Sequence, residues 1–264
     1  MTMATMTIMI AGLNTLVFAS LGLLFLCWGS FLNVIAYRLI ENKSLLGRSQ
    51  CPSCRHTLPW YYLIPVGSWI WLRRHCGFCK QPISWLYPAI ELLTAVACTA
   101  LFLTYDIRTF FAYFIFTSAL IVTVRTDIEY LLIARIMSLG LIPAALALQL
   151  LGILPLSFFE SITGIVVGYG SLWTMKTIFW QLRKQEGIGD GDLELLAGIG
   201  SFIGPVGVLL TLLLGSVTGS IFGGIFLAIR PQALDQLKIP FGALMAIAAI
   251  AYLVFEQQLL YLFF

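Results

Sequence analysis

Apolar runs, each long enough for a helix of about 20 residues to cross a bilayer, succeed one another along this chain, and short polar segments between them hold most of its charges. Such runs decide the solvent before they decide the fold. Hydrophobic residues make up 60% of the 264 and charged ones only 10%, against roughly 45–50% and about 25% in soluble domains. A soluble molecule of this size would lack the polar residues to coat its exterior. An all-α polytopic membrane protein is expected. The net charge of +3 is small and indicates no nucleic-acid partner.

Eight spans are expected, over residues 8–38, 84–104, 109–127, 133–153, 157–180, 193–204, 206–229 and 239–261. Gly204 and Pro205 interrupt the run between Asp192 and Arg230, which suits a short helix followed by a full one. A re-entrant sixth segment, leaving seven spans, is the alternative. Met1–Trp28 holds no Lys or Arg, so it lacks the basic region of a signal peptide and reads as a membrane helix kept in the mature protein. With eight spans, Arg38, Lys43, Arg48, Arg55, Arg73, Arg74 and Lys80 share one membrane face with Arg125, Arg135, Lys176, Arg183, Lys184, Arg230 and Lys238; only Arg108 lies opposite. The positive-inside rule makes that face cytoplasmic and places both termini outside. The chain then divides into a first transmembrane helix, 1–38, a cytoplasmic loop, 39–83, and a transmembrane remainder, 84–264. Glycines recur at four-residue spacing: Gly164 and Gly168, Gly200 and Gly204, then Gly215, Gly219 and Gly223. Small residues let helices approach closely in lipid, within one chain or between two.

The loop carries Cys51-Pro-Ser-Cys54 and Cys76-Gly-Phe-Cys79. Two C-x2-C knuckles supply four thiolates, and zinc takes four in a tetrahedron. Residues 55–75 separate them, slightly more than the roughly 15–20 of the usual zinc pattern. A reducing cytoplasm disfavours the alternative, a pair of disulfides. So short a loop builds little core of its own, so a metal clip would stabilise it. Cys51, Cys54, Cys76 and Cys79 are the expected ligands, with His56 and His75 as neighbours able to replace one. Four sulfurs leave the ion no open position, which makes the site structural. Cys27 and Cys98 lie within spans and read as buried thiols.

Charges at membrane depth are costly and therefore informative. Asp127 ends the third span within Arg125-Thr-Asp-Ile-Glu129, and Asp192 opens the sixth within Gly187-Ile-Gly-Asp-Gly-Asp192. Alternating topology puts both at the same depth. Two carboxylates that share a site cannot both ionise cheaply, so one keeps a proton. The ionised member then takes a proton from water while the other polarises a scissile carbonyl. Gly189 and Gly191 permit a tight turn and close approach of an extended substrate. Other roles fit the same residues: Asp190 or Asp192 capping a helix N-terminus, or Asp127 paired with Arg125 or Arg135. Glu91 lies inside the second span and either lines a cavity or bonds a neighbouring helix. Glu129 and Glu194 stand close enough to the pair to tune it.

In order along nearly the whole chain, these residues resemble the bacterial type IV prepilin leader peptidase/N-methyltransferases, membrane aspartyl proteases of the GxGD type. Gly29 to Leu39 reads G-S-F-L-N-V-I-A-Y-R-L, similar to the family's G-S-F-L-N-V-x-I-Y-R-L. The four cysteines follow, enclosing Trp60 to Pro65 and Ser68-Trp69, close to its W-Y-D-L-I-P and S-W. Ile83-Ser84, Tyr87-Pro88 and Glu91-Leu92 correspond to I-S-x-R-Y-P-x-x-E-L, and Ile239-Pro240-Phe241-Gly242 resembles the start of its last span. The resemblance implies that Asp127 and Asp192 are catalytic, the second within the GxGD of Gly189, Asp190, Gly191 and Asp192. It implies a multi-pass protein of the bacterial inner membrane that cuts prepilins or pseudopilins after a glycine, between a basic cytoplasmic leader and a hydrophobic helix, without a metal. Many members then methylate the new N-terminus with S-adenosylmethionine. The chain departs from the pattern at four places. Ile133-Ala134-Arg135 stands for L-P-D or L-P-N, Glu194 for a lysine, Tyr62 for the aspartate of W-Y-D, and Leu86 for the arginine before Y-P.

Two readings from other classes remain beside this one. A non-catalytic scaffold of a pilus or secretion system would use the cysteine loop for docking, and a transporter would use Asp127, Asp192 and Glu91 as a proton relay.

Overall fold

The computed structural model describes residues 15–185, 187–229 and 239–263. Residues 8–14 of the first expected span, and Arg230 and Lys238 of the charge pattern, lie outside them. Helices dominate; the described residues contain no β-strand, only isolated bridges between Gln50 and Thr57 and between His75 and Pro82. The chain forms two compact units, Met1–Asp106 and Ile107–Phe264.

In the first unit, α1 (Thr15–Ile40) packs on α3 (Leu86–Thr104). Phe25, Leu32 and Ala36 recur along one face of α1 and are buried, while Leu23 and Leu24 stay exposed, as suits a helix with lipid on its other side. Asn33 Nδ2 donates to the Tyr87 carbonyl at 3.1 Å near the start of α3. Between the helices the chain makes a 3-10 turn, Trp60–Leu63, and the short α2 (Gly67–Trp71). Arg38, in the last turn of α1, holds the loop's first residues by donating to the Gly47 carbonyl at 2.9 Å.

The second unit begins with α4 (Ile107–Tyr130), whose residues Leu120 to Asp127 are all buried. Short α5 (Arg135–Ser138) and α6 (Leu141–Leu150) follow, then α7 (Phe158–Arg183), α8 (Asp190–Ile229) and α9 (Phe241–Phe263). A capping box starts α7: Ser157 Oγ accepts from the Glu160 amide at 3.2 Å, and Glu160 Oε2 accepts from the Ser157 amide at 2.9 Å. Helix α8 packs against both α7 and α9, and α9 also against α4. Gly164 of α7 and Gly200 of α8 face each other so closely that a Cβ on either would collide with the other's carbonyl. Here the four-residue glycine spacing serves packing within the chain. Ser161 Oγ adds a buried hydrogen bond, donating to the Ser201 carbonyl at 2.7 Å.

Five described helices are long and apolar enough to cross a membrane: Val17–Ile40, Leu86–Thr104, Ile107–Tyr130, Asp190–Ile229 and Phe241–Leu262. The expected 133–153 span corresponds to a shorter apolar helical stretch, Arg135–Leu150, made of α5 and α6 with Leu139 and Gly140 between them still in right-handed helical backbone. The expected 157–180 span corresponds to α7, 26 residues long but outside those five. The spans 193–204 and 206–229 are the two halves of α8, divided where Gly204 takes φ 69° and Pro205 follows.

Candidate active site and metal centre

Asp127 lies in the last turn of α4, 5% exposed, and its Oδ2 accepts from the Ala243 amide at 2.7 Å. The Gly242 amide bonds the same carboxylate. Both amides open α9, whose unsatisfied N–H groups and dipole favour an anion. A side chain at Gly242 would make its neighbours shift: its Cβ would stand 3.1 Å from Asp127 Oδ2 and 2.6 Å from Ile133 Cδ1. Asp192 sits in the first turn of α8, where its amide donates to the Gly189 carbonyl at 3.2 Å and its carboxylate bonds the Gly189 backbone. The carboxylates of Asp127 and Asp192, far apart in sequence, interact electrostatically.

What joins them is the connector after α4. The chain turns sharply at Leu131 (φ 53°), whose amide donates to the Asp127 carbonyl at 2.9 Å. Ile133 then packs beside Gly191, where a Cβ would meet it at 3.3 Å, and beside Gly242. Gly191 thus faces a side chain, while Gly189 lies next to Asp192 on the exposed side of the turn. The cations weighed as partners for Asp127 are matched with other acids: Arg125 pairs with Glu129, and Arg135 with Glu194 at 3.0 Å. Asp190 pairs with Lys176 of α7. A cleft of about 260 Å³ opens beside that pair, lined by Tyr169, Trp173, Lys176, Thr177, Trp180 and Asp190.

Sequence reasoning did not foresee the two α9 amides at Asp127. Every residue but proline carries an N–H, so only a helix start after Pro240 could have hinted at them. Lys176, a cation within an aromatic helix, proves to be paired with the exposed Asp190.

In the first unit, Glu91 is 6% exposed and its Oε2 accepts from the Val66 amide at 2.7 Å, so this acid ties the loop to α3. The two knuckles repeat one geometry. The Cys51 carbonyl accepts from the Arg55 amide at 2.8 Å and the Cys76 carbonyl from the Lys80 amide at 3.0 Å. Arg55 (φ 57°) and Lys80 (φ 60°) turn left-handed just after the second cysteine of each. All four Sγ atoms lie within 4.8 Å of one another, with Cys51 and Cys79 at 3.8 Å. A tetrahedron with zinc–sulfur bonds of about 2.3 Å has edges of about 3.8 Å, so the donor set fits such an ion. All four thiols are free. Burial opposes ionisation of Cys76, but the amides of Cys79 and Phe78 and the sulfurs of Cys51 and Cys79 outweigh it and bring the thiol down to about 7. The Gln81 amide favours the Cys79 thiolate, yet burial and the neighbouring sulfurs push that thiol up to about 11. Only a cation lets all four ionise together. His56 instead lies against Phe78, ring centroids 3.8 Å apart, and His75 Nδ1 bonds the Arg73 carbonyl at 2.6 Å. Cys98 is buried and Cys27 exposed.

The sequence is similar to those of known proteins. Residues 23–105 match the bacterial peptidase A24 N-terminal domain, and residues 114–224 match the type IV leader peptidase family. The prepilin leader peptidase/N-methyltransferase of Aeromonas hydrophila is 34% identical over 263 residues, covering 90% of each chain. That of Xanthomonas campestris pv. campestris is 31% identical over 258 residues, 87% of each. The Myxococcus xanthus protein of the same name is 35% identical over 216 residues, 79% of this chain and 62% of its own. No solved structure matches. With five helices able to span a bilayer and relatives that cover nearly its full length, the chain belongs to the type IV leader peptidase family, as a multi-pass membrane protein.

Proposed function

We propose that this protein removes the leader peptide from type IV prepilins or pseudopilins and methylates the N-terminus it exposes. Asp127 and Asp192 are its catalytic residues. The observation that carries the reading is the packing of Ile133, from the connector after the helix of Asp127, against both Gly191, next to Asp192, and Gly242, next to the amide that holds Asp127. The pair holds one proton between them. Its ionised member takes a proton from the attacking water, while the protonated member donates to the scissile carbonyl and stabilises the charge that develops there. The two titrations belong to the pair. The Gly242 and Ala243 amides orient Asp127, and the exposed Gly189 leaves room beside Asp192 for an extended peptide. Cleavage falls after a glycine at the cytoplasmic face of the bacterial inner membrane, with both chain termini outside; the one-sided Lys and Arg pattern supports that orientation. S-adenosylmethionine supplies the methyl group. Cys51, Cys54, Cys76 and Cys79 hold one structural zinc that folds the 39–83 loop, leaving 84–264 to carry the peptidase.

The test is mass spectrometry of a candidate prepilin incubated with the membrane-embedded protein and S-adenosylmethionine, which reports the cut and any added methyl together. Asp127→Asn and Asp192→Asn are each expected to abolish cleavage at normal expression. Retained cutting in either variant refutes the catalytic pair.

A further inference from the structure

Asp192 is the middle of three acids at alternate positions, Asp190, Asp192 and Glu194. Each flanking acid meets a cation from another element: Lys176 of α7 reaches Asp190, and Arg135 Nη2 lies 3.0 Å from Glu194 Oε1. The two pairs differ in depth. The Glu194 side chain is 13% exposed against 72% for Asp190, and its Oε2 is buried with no hydrogen-bond partner among the described residues. A carboxylate so enclosed finds its cation in Arg135. Arg135 contributes from an exposed side chain, 76% open to solvent, where an ion pair adds little stability of its own. Its importance is therefore one of place. Arg135 starts α5, two residues beyond the Ile133 that packs beside Gly191 and Gly242. The pair thus fastens the connector leaving the helix of Asp127 to the helix carrying Asp192.

We propose that Arg135 and Glu194 are positioning residues whose ion pair sets the geometry between the two catalytic aspartates, and that either polarity of the pair serves. The inference rests on the two-aspartate reading of the site.

A charge-reversal cycle on the full chain in membranes tests this, with kcat and KM for a prepilin substrate as readouts. Arg135→Glu and Glu194→Arg each set like charges together and are expected to lower kcat about 10- to 100-fold with little change in KM, as misplacement of catalytic groups does. The double variant Arg135→Glu/Glu194→Arg is expected to recover kcat to within about threefold, the mark of a coupled pair in a double-mutant cycle. Singles at the wild-type rate, or a double no faster than the slower single, overturn the proposal. If a reversed single fails to accumulate, Arg135→Gln, a change at an exposed position, decides the matter: unchanged kcat there also overturns it. Asp127→Asn is run beside these variants. Cleavage by that variant sinks the aspartate reading itself, whereas its inactivity with unaffected charge variants sinks only the pair.

Discussion

A methyl group at position 242 would crowd both Ile133 and Asp127 Oδ2, the oxygen held by the Ala243 amide. Gly242→Ala is therefore expected to lower prepilin cleavage about 10- to 100-fold, since shifts near 1 Å in a catalytic group cost that much. Gly170→Ala on α7, where a Cβ meets nothing within 4 Å, leaves the rate unchanged. Comparing initial rates of the two variants at equal expression checks both statements. At this scale the sequence was only partly readable. Acids stranded in apolar runs announced Asp127, Asp192 and Glu91, because the cost of burying a charge is a property of the residue itself. Their partners were hidden. Ala243 lies 116 positions from Asp127 and acts through its backbone, and no periodicity links Arg135 to Glu194 or Lys176 to Asp190.

Between elements, the contact of α7 with α8 is made by backbone meeting backbone at Gly164 and Gly200. Gly164→Leu must push the helices apart, and overpacking of this kind costs about 1–3 kcal/mol. It is expected to lower the thermal unfolding midpoint of the detergent-solubilised protein, while Gly224→Leu in the same bundle, with open space around its Cβ, leaves the midpoint in place. The small-residue spacing was legible because close packing in lipid requires it. So was the break at Gly204 and Pro205, where one residue takes a positive φ and the next lacks an N–H. The 133–153 segment was not. Hydropathy marked a full span, whereas the apolar helical stretch there runs only Arg135–Leu150, shorter than the five described spans.

For the molecule as a whole, the cysteine loop and the membrane helices meet different physical demands. On the proposed zinc reading, a loop with so small a core relies on the ion for order, and ligation requires four deprotonated thiols. Elemental analysis is expected to find about one zinc per chain. Protons compete with the ion, so acidification releases it, and chelation exposes the Arg48–Lys80 stretch to protease. A loop equally resistant with and without metal contradicts the structural role. The spacing of the knuckles made this centre readable from the sequence, since ligand geometry is set by short local turns. The aspartate site is the opposite case. Asp127 is seated on amides that open α9, so a nascent chain halted before residue 240 would already carry both acids yet lack the seat that orients one of them. On the two-aspartate reading, cleavage therefore waits until α9 has been made and inserted.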